Sequence, residues 1–208
     1  MASVCPTVTP YDTHQYREQV ERVAAFAKRM HLDFMDGEFV ETKSPLLIEV
    51  WRPEVDVLDI HLMYKNPVIE IAAALKLNPS LIIIHAEAEN VKGAIEQIKS
   101  AGVKAGLALL MTTPASAAIN LIDQLDYVLV FSGSLGHYGG HADLSLLSKV
   151  QEIKDVKPSI EIGWDGGIND QNVRQLVDGG VDVLNAGGFI QRAESPAEAY
   201  NKLQRLIS

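Results

Sequence analysis

The chain has 208 residues, of which 47% are hydrophobic, enough for one substantial core. Its formal net charge of −9 argues against a nucleic acid or an anionic membrane as the main partner. Cys5, a single cysteine, excludes an internal disulfide and favours a reducing compartment. The first residues lack the basic and apolar regions of a signal peptide, and every apolar run is too short to span a bilayer. We therefore expect a cytoplasmic protein with a single domain over residues 1–208.

Short apolar runs recur along the chain, as is typical of buried strands. The intervals between them fit a strand followed by a crossover helix. The eight predicted strands cover residues 2–8, 30–35, 55–63, 80–85, 103–110, 125–131, 159–165 and 181–187.

The segments between these runs have a helical period. Residues 13–30 place their apolar side chains on one stripe. Asn66 and Pro67 are a typical N-cap and first helical residue, and Gly102 and Gly179 are typical residues at helix ends. The sequence contains no low-complexity tract or linker that would divide the chain.

Eight strand-then-helix units predict an α/β fold, a (β/α)₈ TIM barrel near its minimum size. An open, doubly wound sheet is the alternative. Gly106, Ala108 and Gly163 share the inward face of their strands, and such small residues suit a crowded barrel interior. The closed barrel is therefore favoured.

Polar side chains fall at the C-terminal ends of several predicted strands, where TIM barrels carry their chemistry. His31 and Asp33 alternate with apolar residues in "HLDFMDGEF", so they share one face of a strand. His61, His85 and Asp165 end three other strands. Imidazoles and carboxylates that converge at one mouth predict a site for one divalent metal ion, with zinc, iron, manganese and cobalt all suitable. The alternative is a set of buried, hydrogen-bonded polar groups.

Glycine-bearing turns follow the last three predicted strands, in "GHYGGHAD", "DGG" and "NAGG". Glycines expose backbone N–H groups and let an anion approach closely, and barrel phosphate sites favour the loops after strands 7 and 8. Each glycine pair alone is an ordinary turn. Together they predict a phosphate site at the mouth.

The motifs "HLDFMDGEFV", "DIHLM", "IIIHAEA", "IEIGWDGGI" and "NAGGFI" together resemble the ribulose-phosphate 3-epimerase family, over about residues 6–189. The resemblance implies a TIM barrel in which Asp33 and Asp165 are the catalytic acid–base pair. It also implies four ligands for one divalent metal: His31, Asp33, His61 and Asp165. It further implies a set of residues that contact the sugar or its phosphate: Thr7, Met35, Met63, Gly139, Gly140, Gly166, Gly187 and Gly188.

The activity implied by the resemblance is metal-dependent epimerisation at C3 of a ketose phosphate, D-ribulose 5-phosphate to D-xylulose 5-phosphate, through an enediolate. A 3-epimerase of a ketohexose 6-phosphate and a non-catalytic phosphosugar-binding homologue are the alternatives. The expected partner is a small sugar phosphate, without nucleic acid or membrane, and a homo-oligomer is left open.

The chain departs from the family pattern in the loop 132–141, which contains "GSLGHYGG", and in "GGFIQ", which lacks a hydroxyl.

Three further expectations follow from strand position. Lys104 and Glu161 are predicted to form an ion pair inside the barrel. His85 and Glu87 are predicted to orient a ligand residue, and a buried polar pair that satisfies its own hydrogen bonds is the alternative. Trp164 is predicted to point away from Asp165, toward the helices.

Overall fold

Eight parallel strands pair in sequence order and close on themselves in the computed structural model, which describes residues 2–133 and 135–208. β1 pairs with both β2 and β8, so each strand has a neighbour on both sides. The predicted TIM barrel is confirmed. The strands are β1 Ser3–Val8, β2 Arg29–Met35, β3 Val57–Met63, β4 Leu81–His85, β5 Lys104–Leu109, β6 Tyr127–Phe131, β7 Glu161–Asp165 and β8 Val183–Ala186.

Helices connect the strands on the outside of the barrel. Within the described residues they are α1 Thr13–Ala24, α2 Ile71–Leu75, α3 Val91–Ser100, α4 Ser116–Ile119, α5 Leu147–Val156, α6 Val173–Asp178, α7 Gly188–Gln191 and α8 Pro196–Ile207. The helix predicted after Pro67 is divided, because a 3₁₀ turn, Pro67–Ile69, precedes α2. The Asn66 side chain makes no capping hydrogen bond there. No helix in the described part of the chain has the length and apolar character needed to cross a bilayer.

The apolar core has two parts. The larger lies between the barrel and its helices, and Trp164 is fully buried in it, as predicted. The smaller fills the barrel interior and includes Cys5 and Tyr127. At the inward-facing Gly163, a Cβ atom would lie 1.6 Å from the Tyr127 hydroxyl oxygen. The small interior residue therefore makes room for a large neighbour from the next strand.

Three charged residues meet at the N-terminal end of the barrel, and we call them the lower cluster: Arg29, Asp59 and Glu161. Arg29 Nε lies 2.6 Å from Asp59 Oδ2, and Arg29 Nη1 lies 2.8 Å from Glu161 Oε1. The predicted ion pair between Lys104 and Glu161 is wrong. Lys104 is exposed at the first position of β5, and Arg29 occupies the place beside Glu161. The alternation of side chains along β5 predicted the correct face for Lys104, but it did not show where along the barrel axis this residue lies.

Candidate active site

The register of the first strands brings four predicted site residues together. Asp33 on β2 is paired in register with His61 on β3. His31 lies two residues before Asp33 on the same face, and Asp165 ends β7 across the barrel. We call these residues the mouth cluster: His31, Asp33, His61 and Asp165. All four are buried, and one nitrogen or oxygen atom of each lies within 4.8 Å of those of the others.

Asp33 is the centre of the mouth cluster. Its Oδ1 atom lies 2.9 Å from His61 Nδ1 and 3.2 Å from His31 Nε2. Its Oδ2 atom accepts a hydrogen bond of 2.7 Å from the hydroxyl of Thr9. Asp165 Oδ2 lies 3.7 Å from His31 Nε2, so His31 is within reach of both carboxylates.

The two carboxylates have opposite pKa shifts. Burial opposes ionisation of Asp33, but hydrogen bonds to His31 and His61 lower its pKa well below the usual value. Burial, and then the charge of Asp33, raise the pKa of Asp165 to about 7. In the metal-free protein Asp33 is therefore ionised, and Asp165 holds a proton up to near neutral pH.

The imidazoles also differ. Burial lowers the pKa of His61 to about 4, opposed by its hydrogen bond to Asp33. Burial likewise acts against charge on His31, but the hydrogen bond to Asp33 and the fields of Asp33 and Asp165 raise its pKa overall.

The donor set fits a divalent transition metal. Two imidazole nitrogens and two carboxylate oxygens in a buried cluster match the ligands of zinc and of redox-active divalent ions. The geometry agrees, since His31 Nε2 and His61 Nδ1 converge on Asp33 Oδ1 from two strands. The structure brings together all four residues that the sequence nominated as ligands.

A hydrogen-bonded series continues from His61 away from the mouth cluster. His61 Nε2 lies 2.9 Å from His85 Nε2, and His85 Nδ1 lies 3.2 Å from Glu87 Oε2. Glu87 Oε1 accepts hydrogen bonds from Leu110 N and from the Thr113 hydroxyl. Burial raises the pKa of Glu87, but these contacts and the one to His85 outweigh it and lower that pKa to about 2. Glu87 is therefore a carboxylate at neutral pH.

A cavity of about 230 Å³ opens above the mouth cluster at the C-terminal ends of the strands. Asp33 and Asp165 line this cavity, together with seven of the predicted substrate residues: Thr7, Met63, Gly139, Gly140, Gly166, Gly187 and Gly188. Met35 instead lines a neighbouring groove with Lys43 and Tyr64. His137, in the unusual loop, reaches the cavity wall although its side chain is exposed.

Two glycines of the cavity are required by close approach. At Gly166, with φ of +105°, a Cβ atom would lie 1.8 Å from the carbonyl oxygen of Ser132. At Gly187, a Cβ atom would lie 2.6 Å from Cε1 of Tyr138. The backbone of β7 and β8 can therefore pack directly against the loop after β6.

Three residues that the sequence did not nominate contribute to the site: Thr9, Tyr138 and Arg192. Thr9 donates its hydroxyl to Asp33, and its backbone N–H donates to the Tyr138 hydroxyl at 2.7 Å. Arg192 is the one lysine or arginine among the described residues that line the cavity. Its Nη2 atom donates to the Tyr138 carbonyl at 3.1 Å. A signal for Arg192 existed in the sequence, because it follows the "GGFIQ" segment at the predicted phosphate loop.

A TIM barrel with two buried carboxylates beneath a glycine-lined cavity, at the C-terminal ends of its strands, has the architecture of an enzyme that acts on a small molecule. The sequence model of the ribulose-phosphate 3 epimerase family matches residues 3–191. The chain belongs to this family and is therefore an isomerase of the carbohydrate epimerase class.

Curated relatives agree over nearly the whole chain. A ribulose-phosphate 3-epimerase of Bacillus subtilis is 31% identical over 98% of this chain and 99% of its own length. One of Helicobacter pylori is 34% identical over 98% of this chain and 97% of its own. The chloroplastic ribulose-5-phosphate-3-epimerase of Arabidopsis thaliana is 33% identical, over 94% of this chain and 74% of its own length.

Solved structures with lower identity share the fold. A 3-hexulose-6-phosphate synthase superposes with a TM-score of 0.76 at 17% identity, over 99% of this chain and all of the other. A 3-keto-L-gulonate-6-phosphate decarboxylase of Vibrio cholerae has a TM-score of 0.76 at 13% identity, over 99% of this chain and 97% of its own.

Proposed function

We propose that this protein is a metal-dependent 3-epimerase that interconverts D-ribulose 5-phosphate and D-xylulose 5-phosphate. The observation that carries the proposal is the pair of buried carboxylates, Asp33 and Asp165, at the floor of one cavity and with opposite pKa shifts. The relatives named ribulose-phosphate 3-epimerase support the choice of substrate.

The two carboxylates have different roles in proton transfer. Epimerisation at C3 removes the proton next to the C2 carbonyl, giving a planar enediolate, and returns a proton to the opposite face. Asp33, ionised in the metal-free protein, suits the role of base, and Asp165, with its raised pKa, suits the role of acid. In the reverse direction the two residues exchange roles.

The mouth cluster would hold one divalent metal ion through His31 Nε2, His61 Nδ1 and the two carboxylates. Such an ion, when bound, supplies positive charge that stabilises the negative charge developing on the C2 and C3 oxygens. The protein's own contribution is to hold both carboxylates buried and in place. Thr9 does this for Asp33, because its hydroxyl fixes the oxygen that the imidazoles leave open.

The glycine-lined side of the cavity suits the phosphate. Gly166 and Gly187 carry no side chain of their own, so an anion can approach their backbone closely, and Arg192 supplies a positive charge in the same cavity. Arg192 also offsets the hydroxyl that the "GGFIQ" segment lacks. An acidic protein can in this way bind a dianion at one local site.

Deuterium exchange at C3 tests the epimerase chemistry directly. Metal-loaded protein in D₂O is expected to convert D-ribulose 5-phosphate to D-xylulose 5-phosphate with deuterium at C3. The Asp165→Asn variant is expected to lose epimerisation by about 10²–10⁴-fold. It should retain exchange from the epimer whose proton Asp33 removes.

Asp178→Asn, on the exposed surface of α6, is the matched control and should be fully active. Bound metal is measured in every sample. Failure of the metal-loaded wild type to incorporate deuterium at C3 would refute the epimerase assignment. Faster turnover of a ketohexose 6-phosphate in the same assay would instead refute the pentose assignment.

Removal of the positive charge at the cavity wall tests phosphate binding. Arg192→Gln is expected to raise KM for the phosphorylated substrate about 10-fold or more, since one charge-assisted contact is lost. It should change kcat little, because Arg192 donates its hydrogen bond to the Tyr138 carbonyl and makes no ion pair with Asp33 or Asp165. Arg174→Gln, at an exposed position of α6, is the control. An unchanged KM in Arg192→Gln would contradict the role of Arg192.

A further inference from the structure

The series that runs from Asp33 through His61 and His85 to Glu87 has a carboxylate at each end and two imidazoles between them. It contains three gaps, each short enough for one shared hydrogen: Asp33 to His61 at 2.9 Å, His61 to His85 at 2.9 Å and His85 to Glu87 at 3.2 Å. His61 and His85 are fully buried. Every polar atom in the series must therefore find its partner within it or beside it.

Two neutral imidazoles cannot fill three gaps. A neutral imidazole carries one N–H, and an ionised carboxylate only accepts hydrogen bonds. Two hydrogens are then available, so one gap brings two lone pairs face to face. Either a third proton or a metal ion can occupy that gap, and the gap beside Asp33 is the one that lies inside the mouth cluster.

Glu87 determines which way the hydrogen bonds of the series run from donor to acceptor. Its Oε1 atom is already held by Leu110 N–H and the Thr113 hydroxyl, and its Oε2 atom faces His85 Nδ1. His85 Nδ1 must then carry the hydrogen, which leaves His85 Nε2 as an acceptor. His61 fills the next gap with its Nε2–H, so its Nδ1 keeps a free lone pair that points into the mouth cluster.

We infer that His85 and Glu87 are positioning residues that hold His61 in the tautomer whose Nδ1 binds the metal ion. This deepens the proposed function and rests on its metal centre. Neither residue touches the other members of the mouth cluster; they act through the proton on His61 Nε2.

Glu87→Gln should reverse the donor-to-acceptor direction of the hydrogen bonds in the series. Leu110 N–H and the Thr113 hydroxyl keep the amide oxygen on their side, which turns the amide NH₂ toward His85 Nδ1. His85 then carries its hydrogen on Nε2 and donates to His61 Nε2. His61 must place its own hydrogen on Nδ1, the atom that would bind the metal.

Zinc titration of the full-length protein by calorimetry measures the consequence. Glu87→Gln is expected to weaken zinc binding about 10- to 100-fold relative to wild type. Glu89→Gln, the same substitution at an exposed residue two positions on, should bind zinc like wild type. His85→Leu should also weaken binding, and adding Glu87→Gln to it should weaken binding no further, because Glu87 acts through His85.

Nitrogen NMR of the histidine rings separates this role from a general loss of structure. In zinc-loaded wild type the hydrogen of His85 should lie on Nδ1, and in metal-free Glu87→Gln it should lie on Nε2. Zinc binding by Glu87→Gln within twofold of wild type would overturn the inference, as would weaker binding without the tautomer change. Absence of zinc binding by the wild type would refute the metal centre of the proposed function, and the inference with it.

Discussion

Both ends of the barrel bury carboxylates, but they neutralise them differently. In the lower cluster, Arg29 lies between Asp59 and Glu161 with nitrogen–oxygen distances of 2.6 and 2.8 Å. In the mouth cluster, Asp33 and Asp165 face imidazoles, and burial, followed by the charge of Asp33, raises the pKa of Asp165 to about 7. The N-terminal end thus has a permanent cation of its own, whereas the carboxylates of the mouth cluster face imidazoles instead.

The difference separates stability from function within one fold. A permanently charged guanidinium between carboxylates needs nothing from outside, so the lower cluster serves the barrel itself. Two buried carboxylates without a permanent cation between them are costly until a metal ion or a proton joins them, and that cost is tolerated where chemistry is performed. TIM barrels commonly divide their two ends in this way.

The largest effect on stability is expected from removal of the guanidinium. Arg29→Met leaves Asp59 buried without its cation and should lower the free energy of unfolding by about 3 kcal/mol. Urea denaturation measures this change. The double variant Arg29→Met/Asp59→Leu should recover part of the loss, because no unpaired buried charge remains. A loss of less than about 1 kcal/mol in Arg29→Met would show that charge pairing does not hold the lower cluster together.

At the mouth cluster, removal of a charged group, the Asp165 carboxylate, is expected to raise the free energy of unfolding instead of lowering it. The pKa of Asp165 is raised to about 7, so the bound proton stabilises the metal-free protein fully below the unfolded pKa near 4. This contribution is lost as the pH rises through about 7. Metal-free Asp165→Asn should therefore match wild type near pH 4 and be more stable than wild type at pH 8.

Asp33→Asn is the matched comparison for Asp165→Asn. The pKa of Asp33 is lowered, so its charge contributes stability above the unfolded pKa that is lost as the pH falls. Asp33→Asn should therefore be less stable than wild type at pH 8. Denaturation curves at several pH values, with a chelator present, measure both variants. If the stabilities of the two variants, relative to wild type, changed with pH in the same way, the opposite pKa shifts of Asp33 and Asp165 would be contradicted.

The smallest effect is expected from the hydroxyl that fixes Asp33. Thr9→Val removes the 2.7 Å hydrogen bond to Asp33 Oδ2 and should cost about 1.5 kcal/mol. Thr7→Val is the control, because the buried Thr7 hydroxyl finds no hydrogen-bond partner among the residues that the structure describes. Equal costs for the two variants, measured by denaturation, would show that the Thr9 contact with Asp33 adds no stability.

Most of the fold follows from local patterns. Each predicted strand overlaps an observed one, because a strand buried on both faces is a short, nearly continuous apolar run. The mouth cluster was predictable because alternation places His31 and Asp33 on one face and parallel strands end at one mouth. The resemblance then separated His61 and Asp165 from other polar residues at strand ends.

Contacts that depend on three-dimensional stagger were not predictable. Alternation assigns a side chain to a face but not to a height, so Lys104 was paired with Glu161 where Arg29 in fact lies. Thr9 and Tyr138 are 129 positions apart in sequence, and nothing local in either predicts their contact. The position of Arg192 after the predicted phosphate loop was a signal, but it was overlooked because a single arginine is not a motif by itself.

Closure of the barrel has a consequence for synthesis of the chain. β1 completes its hydrogen bonding only when β8 arrives, because Ser3 pairs with Val183 and Pro6 with Ala186. While the ribosome is still making the intervening residues, one side of β1 presents unpaired backbone groups, as an edge strand does. The nascent chain therefore passes through an aggregation-prone stage that ends only when the last strand is made.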